Sequence, residues 1–149
     1  METTFDALLV PRLLFTVVAV MISVGPIFAD FNKTHATNPL WTPHARFHVV
    51  WQVLSQTGVS LVILWLLWSG AADYRVHIWV AAILNYVWIA SFYATLVSMP
   101  LYGGALKDVN GIKPFRFNIF GKIYLVDTNL FGSVILLIVN TIGVFLLAN

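Results

Sequence analysis

Four long apolar stretches, separated by polar segments, dominate the pattern of the chain. They run from about Leu8 to Ala29, Arg46 to Trp68, Val76 to Ser98 and Asn129 to Ala148. Each stretch is close to the 20 or so helical residues needed to cross a bilayer. Lipid offers the backbone no hydrogen-bond partner, so we expect each stretch to be an α-helix. The sequence therefore predicts one all-α domain over residues 1–149, an integral membrane four-helix bundle.

The composition agrees with this prediction and excludes several classes of protein. Hydrophobic residues make up 60% of the chain and charged residues only 9%, against about 25% charged residues in soluble domains. A formal net charge of +2 provides no basic face for nucleic acid. Because the chain contains no cysteine, disulfides and thiolate-ligated metals are excluded. Any chemistry must come from histidine, carboxylate, hydroxyl or amide side chains.

Two polar connections of unequal length follow the first and third helices. The first extends from Asp30 to Ala45 and the second from Met99 to about Thr128, whereas a tight turn at residues 69–75 joins the middle helices. In the second connection, residues 108–111 are typical of a turn. Apolar and polar residues then alternate from Phe115 to Ile119, the period of a strand. Two interpretations are open: a short hairpin over the end of the bundle, or a basic interfacial loop without a fixed fold.

The basic residues are distributed unevenly between the two membrane faces. Arg12 and Arg75 lie at one face. Six basic residues lie at the other, namely Lys33, Arg46, Lys107, Lys113, Arg116 and Lys122. By the positive-inside rule, both long connections face the cytoplasm and both termini face away from it.

The densest group of polar side chains lies between Asp30 and His48. It contains three of the four histidines of the chain, His35, His44 and His48. Pro43 suits the first turn of a helix, which places His44 and His48 one turn apart on the same face. Gln52, Ser55 and Gln56 continue this polar stripe inward. We expect the stripe to face the bundle interior, because polar side chains are costly against lipid.

Two carboxylates complete the predicted catalytic group. Asp30 ends the first helix and Asp127 precedes the fourth, so in a four-helix bundle both lie at the same end as His44 and His48. We predict that these four residues are catalytic, with Asp30 as general acid and either histidine as base. Each carboxylate also has a structural interpretation. Asp127 would cap the fourth helix, and Asp30 would pair with a nearby basic side chain.

An aromatic cavity beside this group would hold a hydrophobic substrate, because aromatic faces stabilise a cation. The predicted substrate-binding residues are Asn32, His35, Trp51, Gln52, Asn85, Trp88, Phe92 and Tyr93. The fourth histidine, His77, begins the third helix at the opposite membrane face. We therefore expect His77 to lie outside the site.

The layout of the chain resembles the EXPERA group of small membrane proteins, which includes emopamil-binding protein and the sigma-2 receptor. The resemblance rests on a first helix ending Gly-Pro-Ile-Phe-Ala-Asp30, a polar loop with prolines, a second helix with a polar stripe and a third helix rich in aromatics. It implies a pocket that opens toward the membrane, in which Asp30 contacts a cationic ligand or intermediate. Helices two and three here lack a carboxylate, so histidine and Asp30 would have to transfer the proton.

Three functions follow from these observations. The first is a membrane enzyme that needs no cofactor and isomerises or cyclises a terpenoid, a sterol or another lipid-like molecule by acid–base chemistry. The second is a metalloenzyme in which His44 and His48, with His35, Asp30 or Asp127, bind one divalent metal. The third is a non-enzymatic protein that binds or transports a lipid-like ligand. The expected partners are a hydrophobic small molecule and membrane lipid, and a second copy of the chain could complete the pocket.

Overall fold

The computed structural model describes residues 8–70 and 73–149. Its elements are, in chain order, α1 (Leu9–Asp30), α2 (Pro43–Trp68), α3 (Tyr74–Tyr102), β1 (Phe115–Ile119), β2 (Lys122–Val126) and α4 (Thr128–Ala148). All four helices are long and apolar enough to cross a membrane. The predicted all-α membrane bundle is confirmed, and the protein is a multi-pass membrane protein.

The helix ends agree with the prediction except at the end of α3. This helix continues beyond Ser98, includes Pro100 and ends at Tyr102. Gly103 follows with a φ of 65°, the left-handed conformation in which glycine commonly ends a helix. Met99 and Tyr102 consequently belong to a membrane helix and not to the loop.

The helices pack around a core with two apolar layers. One layer, toward the end where α1 begins and α4 ends, includes Phe15, Ile63, Leu67, Ile78 and Leu147. The other, toward the long connections, is built on Val18, Ile22 and Ile89, with Trp88 and Tyr93 packed against it. Large apolar side chains also cover the outer helix faces, where a membrane-spanning protein contacts lipid.

Two fully buried amides tie three helices together within this core. Asn85 Nδ2 donates to Asn140 Oδ1 over 3.1 Å and to the Phe15 carbonyl over 3.3 Å. Asn140 Nδ2 donates to the Ala82 carbonyl over 3.2 Å. Because an unpaired amide is costly in an apolar interior, this network fixes how α1, α3 and α4 approach one another.

At the end opposite the long connections, two arginines donate to the carbonyls that close helices. The buried Arg12 donates through Nε to the Leu67 carbonyl over 2.8 Å, near the end of α2. Its guanidinium also lies 4.4 Å from the centre of the Trp68 ring. Arg75 donates to the Leu147 carbonyl over 3.0 Å, at the end of α4. Cations are favourable at helix C-termini, so both arginines stabilise the bundle.

The hairpin interpretation of the long connection is confirmed. Strands β1 and β2 pair antiparallel, from Phe115 opposite Val126 to Ile119 opposite Lys122. The two residues of the turn, Phe120 and Gly121, both have positive φ angles, 49° and 79°, as in the turns that suit two-residue hairpins. The hairpin also packs on α4, because the Phe115 ring lies 5.1 Å from that of Phe131.

Candidate functional site

A compact turn after α1 brings the carboxylate of Asp30 next to the imidazole of His35. Asp30 Oδ1 lies 3.5 Å from His35 Nδ1, and the two side chains are only 17% and 22% exposed. The Thr34 hydroxyl also contacts His35 Nδ1, over 2.7 Å. Both of these contacts involve Nδ1, so the other ring nitrogen, Nε2, lies on the opposite side of the imidazole.

Asn32 supports this turn through both ends of its amide. Its Nδ2 donates to the carbonyls of Phe28 and Ala29 over 2.9 and 2.8 Å, which satisfies acceptors left free where α1 ends. Its Oδ1 accepts from the backbone and hydroxyl of Thr34 over 2.8 and 2.7 Å. Asn32 was predicted to bind substrate; the structure places it in the backbone turn beneath the Asp30 and His35 pair.

A second amide pair fastens the two long connections to each other. Asn38, which is fully buried, donates to Asn110 Oδ1 over 3.1 Å and accepts from Asn110 Nδ2 over 3.0 Å. The remaining hydrogen-bonding capacity of Asn38 is used on the Thr34 carbonyl and the Leu40 amide, over 2.9 and 3.0 Å. The pair holds residues 105–112 against the turn that carries His35.

Trp41 forms a second link between the same segments. Its ring meets the His35 ring edge to face, with centroids 5.1 Å apart, and its indole Nε1 donates to Asp108 Oδ2 over 2.5 Å. This hydrogen bond, with a second from the Val109 amide, holds the pKa of Asp108 below its usual value of 3.8. Asp108 is therefore a stable anion at the edge of the site.

Two adjoining cavities lie beneath these links. The smaller, of about 20 Å³, is polar and is lined by His35, Leu106, Lys107, Asp108, Gly111, Ile112, Asp127, Thr128 and Asn129. The larger, of about 140 Å³, is mainly apolar and is lined by Phe92, Thr95, Leu96, Met99, Tyr102, Ala105, Leu106 and Asn129. Leu106 and Asn129 belong to both linings. A group that fills the larger cavity therefore ends beside the pocket of His35.

A family model matches residues 14–130, most of the chain. The chain belongs to the DUF6640 family, a family of unknown function. No curated protein and no solved structure matches it. The matched range contains the Asp30 and His35 pair, both links between the connections and every residue that lines the two cavities. The site thus lies entirely within the part of the chain that defines this family.

Asp127 combines the two interpretations that the sequence left open. Its Oδ1 accepts from the backbone amides of Asn129 and Leu130 over 2.9 and 3.2 Å, so the side chain caps α4. Asp127 also lines the polar pocket together with His35. Asp127 therefore lies at the wall of the polar pocket, and its cap bonds hold its side chain in place.

His44 and His48 lie elsewhere. The prediction that their stripe faces the bundle interior is wrong for both histidines, Gln52 and Ser55, and is confirmed only for Gln56, which is 2% exposed. Both side chains and that of Gln52 are exposed. Val49, Val53 and Gln56 belong to the buried face of α2. Each residue along a helix is a rotation of about 100°, so His48 and its neighbour Val49 point in different directions, whereas each step of four residues drifts by about 40° and brings Gln56 onto the face of Val49.

The two exposed histidines nevertheless contact each other. His44 Nε2 and His48 Nε2 lie 3.0 Å apart, and the His48 ring lies 5.8 Å from that of the exposed Trp51. No contact found within residues 8–70 and 73–149 joins either histidine to Asp30. In that part of the chain, no group of three or more His, Asp or Glu side chains is arranged to hold a metal ion.

The other predicted substrate-binding residues divide between the site and the core. Phe92 lines the larger cavity, whereas Trp88 and Tyr93 pack against the apolar core. Asn85 is fully buried and serves the helix contacts described above. His77 begins α3 at the far end, with its ring 6.0 Å from Trp65, and lies outside the site as predicted.

Sequence reasoning did not select several residues that form the site. They are Asn38, Trp41, Met99, Tyr102, Asp108, Asn110 and Asn129. A weak signal existed for Trp41, a tryptophan in an otherwise polar and proline-containing segment. No such signal existed for Met99 and Tyr102, because Pro100 between them indicated that the helix had ended.

Proposed function

We propose that this protein is a membrane enzyme that transfers protons to and from a hydrophobic small molecule, and so shifts a double bond within it. The observation that carries the proposal is the shared wall between an apolar cavity and the polar pocket of His35. A ligand whose apolar end group fills the larger cavity presents the carbons of that group to the imidazole of His35, which lies 3.5 Å from the carboxylate of Asp30. The layout resemblance to the EXPERA group supports the same class of substrate.

The dimensions of the cavity favour a terpenoid, a sterol or a similar elongated molecule. At about 140 Å³ the cavity is comparable to the engineered cavity of about 150 Å³ that binds benzene in another protein. It therefore holds one branched or ring-sized group and not a whole lipid. Thr95 and Tyr102 in its lining are exposed on the bundle surface. The rest of the ligand would extend through this opening into the bilayer.

The chemistry assigned to the pair conserves protons over one turnover. The protonated His35 gives its Nε2 proton to one carbon of an activated double bond, leaving a cation on the substrate. The neutral imidazole then removes a proton from a neighbouring carbon, which moves the double bond and restores the imidazolium. Asp30, with its carboxylate 3.5 Å from Nδ1, holds the imidazole in position while the proton passes through Nε2. Phe92 and Tyr102 provide aromatic faces next to the cation.

One observation favours a second candidate, a metal site at His44 and His48. Their Nε2 atoms approach to 3.0 Å on the outside of α2, and two imidazole nitrogens at about 2.0–2.1 Å could share one zinc ion. Further ligands would have to come from outside residues 8–70 and 73–149, for example from a second copy of the chain. Elemental analysis of the detergent-purified protein tests this candidate, with the double variant His44→Gln and His48→Gln as the comparison.

The main proposal is tested by following deuterium from solvent into carbon. Proteoliposomes are incubated in D₂O with a panel of unsaturated isoprenoids and sterols, and the recovered lipids are analysed by mass spectrometry. Protonation at carbon followed by loss of a different proton leaves deuterium at a position that does not exchange. We expect wild-type protein to label a member of this panel, and His35→Gln and Asp30→Asn to abolish the labelling.

Controls separate lost chemistry from lost folding or binding. His77→Gln changes a histidine at the opposite end of the bundle and should label as wild type does. Ala105→Phe should fill the larger cavity and remove the bound ligand in native mass spectrometry, whereas Ala148→Phe at the far end should not. If a member of the panel is bound but carries no deuterium, the protein is a non-enzymatic lipid-binding protein and not an enzyme. If no member of the panel is bound or labelled, the proposal is wrong.

A further inference from the structure

The β-hairpin carries a large apolar surface that no other part of the described chain covers. Phe120 at its tip is fully exposed. Ile119 and Ile123, on opposite faces of the hairpin near that tip, are 50% and 59% exposed. Leu125, on the same strand as Ile123, is 63% exposed. A soluble hairpin with this tip would be an aggregation hazard. The tip therefore fits an apolar environment better than water.

The backbone of the turn supports this interpretation. Phe120 has a φ of 49°, a left-handed conformation that bulky side chains rarely adopt and that asparagine or glycine adopts easily. The sequence thus places a large aromatic residue where hairpin formation alone favours a small or polar one. Local strain of this kind persists where the side chain has a role beyond the turn.

The charges of the hairpin indicate what kind of surface it meets. Between Asp108 and Asp127 the only charged residues are Lys113, Arg116 and Lys122. All three are exposed, and none of them forms an ion pair with any residue in the described ranges. Lys113 and Arg116 lie at the base of the hairpin and Lys122 lies beside its tip. Unpaired cations along a hairpin with an apolar tip complement a surface with an apolar interior and anionic headgroups, such as a leaflet of anionic phospholipid.

The position of the hairpin in the fold keeps it at the membrane surface. Only Asp127 separates the end of β2 from the start of the membrane helix α4. The rings of Phe115 and Phe117 lie 5.1 and 5.7 Å from that of Phe131 in the first turns of α4. The base of the hairpin is thereby fixed at the level where α4 enters the bilayer.

We propose that the hairpin is a lipid-binding element whose tip, around Phe120, inserts between the headgroups of the adjacent leaflet. Lys113, Arg116 and Lys122 bind the phosphates of anionic phospholipids there. This inference is independent of the reaction proposed above, because it uses no residue of the two cavities.

Site-directed spin labelling tests the proposal directly, since the chain has no native cysteine. Labels are introduced by Phe120→Cys, by Ile123→Cys and, as a control on the same connection, by Val109→Cys, whose native side chain is 91% exposed. The full-length protein is reconstituted into phosphatidylcholine vesicles with and without phosphatidylglycerol. Collision rates of the label with oxygen, which concentrates in lipid, and with a water-soluble nickel complex then report its depth.

We expect the labels at positions 120 and 123 to favour oxygen over nickel, and the label at position 109 to favour nickel. Adding phosphatidylglycerol should increase oxygen access at the tip. The combined Lys113→Gln, Arg116→Gln and Lys122→Gln variant should lose that increase. The proposal is overturned if the tip label collides with the nickel complex as often as the control label does in both vesicle types. Spin–spin coupling between the tip labels of two copies would also overturn it, because the tip would then contact a second copy of the chain and not lipid.

A second variant separates insertion from folding of the hairpin. Phe120→Asn introduces a residue that suits the left-handed turn, so the hairpin keeps its fold while the tip loses its apolar side chain. In the Phe120→Asn variant, the label at position 123 should show the same oxygen and nickel accessibility as the control label at position 109. With Phe120→Trp, which remains aromatic, the label should stay at its original depth. Equal depth in both variants would refute a role for the apolar tip.

Discussion

Replacing Asn38 by alanine should release the two long connections from each other and open the polar pocket of His35. The side chain of Asn38 takes part in four hydrogen bonds, two with Asn110 and one each with the Thr34 carbonyl and the Leu40 amide. A hydrogen bond contributes a net 0.5–1.5 kcal/mol or so, which gives an upper range of roughly 2–6 kcal/mol. Because Asn110 is exposed and water can replace its lost bonds, we expect the lower part of this range, about 2–3 kcal/mol.

The structure also predicts how the two asparagines depend on each other. Asn110→Ala removes only the two amide bonds and should cost about 1–2 kcal/mol. Both side-chain bonds described for Asn110 go to Asn38, so the double variant should cost no more than Asn38→Ala alone. Thr37→Ala, at an exposed neighbour, serves as the control and should lie within about 0.5 kcal/mol of wild type.

Native-state hydrogen exchange followed by mass spectrometry measures these free energies locally. Peptides that cover residues 32–41 and 106–112 should exchange faster in Asn38→Ala, whereas peptides from the helix interiors should not change. Fully additive costs in the double variant would show that the two amides act separately. If Asn110→Ala lowers the local free energy of unfolding as much as Asn38→Ala does, the two hydrogen bonds of Asn38 to Thr34 and Leu40 contribute nothing, and the predicted contribution of all four bonds is wrong.

Three further predictions concern packing, pH and orientation. In α4, Gly143→Ala places a Cβ 2.6 Å from Phe15 Cε1 and should destabilise the bundle by about 1–3 kcal/mol. Its control, Gly132→Ala, places a Cβ that meets no atom within 4 Å and should be neutral or stabilising. Thermal unfolding in detergent measures both. The pKa of Asp108 is lowered in the folded protein, so its hydrogen bond with Trp41 should stabilise the loops at pH values above 3.8. This stabilisation should be lost as the pH falls below 3.8 through the lower pKa of the folded state. Hydrogen exchange of wild type and Trp41→Phe, compared across pH, measures the effect. Reporter fusions at both termini should be active only outside the cytoplasm, and cytoplasmic activity at both ends would reverse the predicted orientation.

The sequence by itself determined the membrane helices and the end of the bundle at which the site lies. An apolar stretch of bilayer length has no low-energy alternative to a helix in lipid, so all four were predictable from composition and length. Chain connectivity then placed Asp30 and Asp127 at one end. The helix caps were also predictable from the sequence, because a cap depends only on residues that are close together in the chain. Thr42 accepts a hydrogen bond from the Ala45 amide at the start of α2, and Asp127 caps α4.

The tertiary structure decided which side chains meet. α2 is apolar around most of its circumference, so its sequence pattern hardly defines an inner face; packing turned Val49 inward and His48 outward. The links that close the site, Asn38 with Asn110 and Trp41 with Asp108, join residues 72 and 67 positions apart. Short polar loops adopt many conformations of similar energy, and only contacts between two such loops select the one in which the polar pocket of His35 adjoins an apolar cavity.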